Sequence, residues 1–227
     1  MAAPKGKKSE DTVTRNIVIG TIVFVLVAVS GFIYYEKNQE SAISQAIPSA
    51  VSEESGYAIS FNTELTGVPV VDIYEDFQCP VCMQFEAVNM KYLESLVTEK
   101  KATVRYHILS FLGDESKRAA NASACANEED KFLAFHSAMY ANQPAAENSG
   151  EWSNERLIAI GKAAGISSKT FESCVNEGTY AGWVQKVAEA AAKSGVNSTP
   201  TVFVDGKEID RNKDYFSATN FKAAIEG

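Results

Sequence analysis

The chain has 227 residues, 45% hydrophobic and 22% charged, which is ordinary for a globular protein and excludes a disordered or low-complexity polymer. Twenty-one basic residues stand against 29 acidic ones, a net charge of −8, so nucleic acid is an unsuitable ligand. There is no Gly-rich phosphate loop, Ser/His/Asp signature or internal repeat, which leaves the four cysteines as the residues able to carry chemistry.

In chain order, residues 1–16 contain Lys5, Lys7, Lys8 and Arg15, and Ile17 to Tyr35 then runs for 19 residues without a charge. At about 1.5 Å per residue such a helix just spans a bilayer core. Only Lys37 follows closely, so the positive-inside bias predicts a cytoplasmic tail over 1–16, a transmembrane anchor over 17–35 and an exported remainder. The expected location is therefore the cell membrane, with a single pass. A cleaved signal peptide, with Ala28 and Ser30 as small residues, is the rival reading; the long apolar run and the interfacial Tyr34-Tyr35 pair favour the anchor. Residues 36–55 are polar and lack a sustained period, as expected of a flexible linker. Without residues 1–35, which hold four basic and two acidic side chains, 17 basic and 27 acidic residues leave a net charge of −10.

Residues 56–227 suffice for one α/β domain. Tyr57, Ile59 and Phe61 alternate as in a strand, and Val68 to Tyr74 forms a second, continuously apolar one. Phe85, Val88, Met90, Tyr92, Leu93, Leu96 and Val97 recur at helical spacing, and Ala102 to Leu109 alternates again. A right-handed crossover makes the two strands flanking this helix parallel. From about 113 to 194 the pattern is helical, with Ser153 and Ser167 as helix caps and Gly195 as a stop. Thr201 to Val204 and Lys207 to Ile209 flank an Asp205-Gly206 turn, and Ser217 to Glu226 closes the chain as a helix.

Cys79-Pro80-Val81-Cys82 stands where the second strand gives way to the helix. Free backbone N–H groups and the helix dipole there favour a thiolate on Cys79. Cys82 lies nearly one turn deeper, close enough to close a disulfide but less open to a partner. The alternative is half of a zinc site, yet Cys125 and Cys174 stand alone and supply no second cluster. Redox chemistry is therefore expected, with Cys79 reactive, Cys82 resolving, and neither cofactor nor metal.

Three stretches, YEDFQCPVC over 74–82, KFLAFH over 131–136 and STPTVFVDG over 198–206, carry a resemblance. The chain resembles DsbA-like thiol:disulfide oxidoreductases, in particular the membrane-anchored actinobacterial forms. The resemblance implies a thioredoxin fold with an inserted all-helical domain, and introduction of disulfides into exported proteins. It implies a cis Thr199-Pro200 bond, with the Thr199 backbone pairing to substrate beside the disulfide. It also implies a membrane partner, DsbB-like or vitamin K epoxide reductase-like, that reoxidises the dithiol. Exported chains tend to pair their cysteines and relatives carry a second disulfide, so Cys125–Cys174 is expected as a structural bridge, with two buried free thiols as the alternative.

The family pattern fails at one point: the buried acid six residues before the first cysteine is replaced by Ile73. Asp72 should face the other side of the sheet, and Glu75 and Asp76 should be solvated. Glu86, four residues after Cys82, is the better candidate for a proton relay, against an ordinary surface glutamate. His107 and His136 have no evident tie to the cysteines. Val81, where strongly oxidising relatives carry His, implies a weaker oxidant. A reductase for cytochrome maturation or thiol repair thus stays open, as does a non-catalytic copper carrier or peptide holdase.

Overall fold

The computed structural model describes residues 8–42 and 46–227, and the chain divides into two units between residues 43 and 44. The first unit is a single helix, α1 (Lys8–Ala42). Its stretch Thr14–Ile33 is long and apolar enough to cross a membrane, and its apolar side chains, such as Phe24 and Leu26, are exposed. The hydroxyls of Thr21 and Ser30 donate to the carbonyls of Ile17 and Leu26, so these polar groups are satisfied within the helix.

The expected linker is divided. Residues 36–42 continue α1, 43–45 lie outside the described residues, as do 1–7 of the expected tail, and 46–55 belong to the second unit. There Val51 packs on the core, and the Ser49 N–H and hydroxyl donate to the Glu128 carboxylate at 2.6 and 2.8 Å. Such contacts are made by single polar side chains and leave no hydrophobic period to read.

The second unit holds a five-stranded sheet of β1 (Ile59–Phe61), β2 (Val70–Glu75), β3 (Thr103–Ile108), β4 (Thr201–Val204) and β5 (Lys207–Glu208), in the order β1-β3-β2-β4-β5. β2 and β3 are parallel and every other pair is antiparallel. The crossover between them is α2 (Pro80–Thr98), which buries Cys82, Phe85, Leu93 and Leu96. Asp205 and Gly206 both have positive φ, 51° and 76°, as a tight type I′ hairpin requires, and the Asp205 carboxylate accepts from Val70 N at 2.9 Å.

The insertion consists of α3 (Asp114–Asn127), α4 (Phe132–Ala141), α5 (Asn154–Ala163), α6 (Lys169–Glu177) and α7 (Ala181–Lys193). α3 is lined with buried alanines, Ala119, Ala120, Ala122, Ala124 and Ala126, which let its neighbours approach closely. Ser153 caps α5 as expected, but α6 is capped by Ser168 rather than Ser167, its hydroxyl accepting from Phe171 N at 3.0 Å. Ser168 also donates to Glu129, a long-range contact that selects between two adjacent serines. α8 (Arg211–Asp214) was not foreseen, since four residues cannot show a period; α9 (Ala218–Glu226) closes the chain.

Candidate active site

Cys79 is the N-cap of α2, its N–H bonded to the Asp76 carbonyl at 2.9 Å, and Pro80 occupies the first turn, where a missing N–H costs nothing. Both Cys79 and Cys82 are free thiols, so this is the reduced form. Cys79 is 7% exposed and Cys82 not at all. The Cys79 thiol is pulled down to about 6, first by the hydrogen bond from Cys82, against the cost of burial, then by Thr199 and the N–H groups of Cys82 and Val81. Burial pushes Cys82 well above the ordinary thiol range, assisted by Cys79 and the charge of Glu75. The negative charge therefore rests on the sulfur nearer the surface, and the inner one keeps its proton.

The Thr199-Pro200 bond is cis, and the Thr199 carbonyl lies 3.6 Å from Cys79 Sγ. This loop is held from behind by a residue the sequence did not suggest. Arg211 donates to the carbonyl of Pro200 at 2.5 Å and to the Ser198 hydroxyl at 2.9 Å, over the ring of Tyr215. The Tyr215 hydroxyl accepts from Val202 N at 2.7 Å, so α8 and the segment after it fix the loop's position. Nothing local in the sequence marks an arginine that follows a hairpin for this task.

The acids near the motif are not solvated. Ile73 is fully buried and Asp72 does face away, paired with His107 at 2.9 Å, but Glu75 and Asp76 are both completely buried. Asp76 is well satisfied, accepting from Gln78 N, Leu112 N and the Ser116 hydroxyl at 2.6–3.1 Å, which ties the cysteine loop to α3. Glu75 instead meets His136 of α4, Oε2 to Nε2 at 2.9 Å. Burial pushes the Glu75 carboxyl up to about 8 against a hydrogen bond from Glu86 that holds it down, and the charge of Cys79 adds to the rise. Glu86 is 1% exposed, not a surface residue, and burial raises it well above the carboxylate range, with Glu75 contributing. Burial also lowers His136, favouring the neutral imidazole. A buried acid thus lies beside the cysteines after all, supplied from the end of β2 rather than from position 73. The residue that completes it, His136, comes from the insertion, and strand alternation could not reveal that α4 covers this end of the sheet.

Away from this site, Cys125 and Cys174 form a disulfide between α3 and α6, with Cα atoms 5.9 Å apart. Among the described residues the cysteines therefore make two separate pairs, and none joins a zinc-type thiolate cluster.

Residues 67–226 match the family described as Thioredoxin. Disulfide bond formation protein D of Bacillus subtilis is 26% identical over 178 residues, covering 72% of this chain and 79% of that protein. The thiol-disulfide oxidoreductase MdbA of Actinomyces oris superposes with a TM-score of 0.68 at 26% identity, over 79% of this chain and 88% of that one. Reduced DsbA of Mycobacterium tuberculosis gives 0.58 at 30% identity, over 74% and 98%. The chain spans only 28% of the length of other curated relatives, serine/threonine-protein kinases PknE of Mycobacterium tuberculosis, which are 29% identical over 158 residues. Its family model, its sheet with a helical insertion and its cysteine pair at a helix N-terminus agree: the chain belongs to the thioredoxin family, among the DsbA-like thiol:disulfide oxidoreductases.

Proposed function

We propose that the chain is an extracytoplasmic dithiol-disulfide oxidoreductase that introduces disulfides into exported proteins. The observation that carries this reading is the opposed acidity of the two sulfurs, Cys79 lowered to about 6 and Cys82 raised. A stabilised Cys79 thiolate favours the reduced enzyme, so the disulfide form is the oxidant. The relative named for disulfide bond formation supports the same direction.

In the oxidised enzyme a substrate thiolate attacks Cys79 Sγ, the Cys79–Cys82 bond breaks, and Cys82 leaves as a thiolate that takes up a proton. Glu75, coupled to both cysteines, is the proton donor nearest in character, with Glu86 behind it as a relay. A second substrate thiolate then attacks the substrate sulfur of the mixed disulfide and releases Cys79 as the stable thiolate. The substrate loses two electrons and the enzyme gains them. Thr199, beside Cys79, offers main-chain groups to an extended peptide, a mode that tolerates many sequences.

Residues 17–35 anchor the enzyme with its N-terminus in the cytoplasm, near a DsbB-like or vitamin K epoxide reductase-like protein that takes the electrons. Val81 adds no side-chain donor to the Cys79 thiolate, which gives an oxidant of intermediate strength. The test is the equilibrium of the Cys79/Cys82 pair with glutathione. A potential near or above about −180 mV supports the oxidase, one near about −270 mV supports a reductase, and failure to form the disulfide sinks both. A holdase would keep its activity in Cys79→Ser, and a copper carrier would bind Cu(I) without turnover.

A further inference from the structure

Cys79 is an N-cap whose side chain makes no capping hydrogen bond, and its backbone is extended, with φ −70° and ψ 117°. Where its sulfur lies relative to the N–H groups of Val81 and Cys82 therefore depends on how the peptide units around it are oriented. Met83 N donates to the Cys79 carbonyl at 3.1 Å, as in the first turn of any helix, and Pro80 has no N–H to add. The rest of the hold comes from outside α2.

It comes from Gln143, in the loop that follows α4. Its side-chain Nε2 donates to the carbonyl of Phe77 at 2.6 Å and to that of Cys79 at 3.1 Å. One amide thus bridges the two carbonyls that flank Gln78. A carbonyl oxygen carries partial negative charge, and a donor on it offsets its repulsion of a thiolate on the same residue. The loop that carries Gln143 is itself tied down. Asn148 N donates to Gln78 Oε1 at 2.7 Å and Asn148 Nδ2 to the Leu112 carbonyl at 2.6 Å. The Glu115 carboxylate accepts from Gly150 N and Trp152 N at 2.6 and 3.1 Å. Residues 145–151 are exposed, yet the loop directs its polar groups at the cysteine segment and α3 rather than at water alone. The backbone of residues 77–79 is therefore held by the loop between α4 and α5, while the Cys79 sulfur faces Thr199 of the cis-proline loop.

We propose that Gln143 is a positioning residue for the reactive sulfur: by bridging the carbonyls of Phe77 and Cys79, its amide sets the cap of α2 so that the N–H groups of Val81 and Cys82 point at Cys79 Sγ. Its consequence for exchange rests on the redox reading; the geometry does not. The titratable groups that act on Cys79 are Cys82 on α2 and Glu75 at the end of β2, and His136 of α4 reaches Glu75 rather than the sulfur. The cis-proline loop brings Thr199, which does not titrate. Gln143→Met keeps the side chain's length, removes both donors and alters none of these groups.

The test follows iodoacetamide alkylation against pH in the full reduced chain in detergent, read at Cys79 by peptide mass. Gln143→Met is expected to raise the Cys79 midpoint by about half a unit to one unit, the worth of one hydrogen bond. Its equilibrium with glutathione at about pH 8 should move about three- to tenfold towards the disulfide, because the thiolate of the reduced form has lost support. Gln143→Asn, whose amide is one methylene short of the two carbonyls, should shift in the same direction and provides a second, still polar variant. Asn142→Ala is the control: its Nδ2 donates to the Ala138 carbonyl and its Oδ1 accepts from Arg156, so the change loosens the same loop without touching the cysteine segment and should leave the midpoint where it is. An unchanged midpoint in folded Gln143→Met overturns the proposal, and so does an equal shift in Asn142→Ala. A parent chain that catalyses no exchange overturns the redox reading instead, and the alkylation midpoints still decide the role of Gln143.

Discussion

The two cysteine pairs occupy two differently built regions. Cys79 and Cys82 are three residues apart at the start of α2, and Cys125 and Cys174 are 49 apart on α3 and α6 of the insertion. Burial alone does not separate them, for Cys82 and Cys125 are both out of solvent. What differs is the electrostatic setting. Cys79 faces helix N–H groups and Thr199 while Cys82 faces Glu75, whereas Cys125 has alanines around it and the Asn121 amide 3.8 Å away. A sulfur pair becomes reactive where its two members are pulled apart in acidity, and inert where both are simply packed.

The sharpest way to break this contrast is to remove one sulfur from each pair. Cys79→Ser is expected to reduce catalysed thiol-disulfide exchange to the uncatalysed rate in a refolding assay of a reduced substrate, and Cys82→Ser to accumulate the mixed disulfide on Cys79, visible on non-reducing gels. Removing both Cys125 and Cys174 should leave exchange within a few-fold of the parent but lower stability by about 4 kcal/mol, the loop-closure value for so long a loop, read as a shift in denaturant midpoint.

Acidity sharpens the comparison further. The folded Cys79 pKa, about 6, lies below the ordinary thiol value of 9.0, so Cys79 is mostly thiolate at neutral pH, while the stability that thiolate lends the reduced state is full only above about 9 and is lost progressively as pH falls from there through about 6. Alkylation of Cys79 by iodoacetamide should show that midpoint, and Cys125 and Cys174 should not react without reductant. Glu75→Gln removes a negative charge that raises Cys82, so the Cys82 titration should move down by a measurable fraction of a unit, followed by thiolate absorbance. The smallest effect is expected of Arg211→Ala. Freeing the loop should raise KM for a protein substrate by about 3–10-fold, roughly the net worth of one ordinary hydrogen bond, with little change towards a small disulfide.

Much of this was legible because it is local. Cys79-Pro80-Val81-Cys82 between an apolar strand and a 3.6-residue period can only open a helix, and Asp205-Gly206 between two short strands can only turn. Glu75 was misjudged because alternation along β2 breaks at its end, where Ile73, Tyr74 and Glu75 are buried in succession. The cover there comes from His136, Tyr140 and Phe77, residues up to 65 positions away in sequence, and one chain read by periodicity cannot report which distant helix lies over a strand end. Ser168 over Ser167, and residues 46–55 over a free linker, were likewise decided by long-range contacts, one bond from Ser168 to Glu129 and two from Ser49 to Glu128 with Val51 on the core.

The bond between Glu75 and His136 has a consequence for anyone who would simplify this protein. Helical insertions are tempting to excise, since the sheet with its two ends of chain looks like a self-sufficient minimal scaffold. Here a trimmed version would open the floor under the dithiol to water, ionise Glu75 and Glu86, and retune both sulfurs while leaving every residue of the motif in place. Transplanting the nine residues 74–82 into a bare scaffold would for the same reason carry over the sequence signature without its chemistry. The unit of inheritance is the motif together with α4.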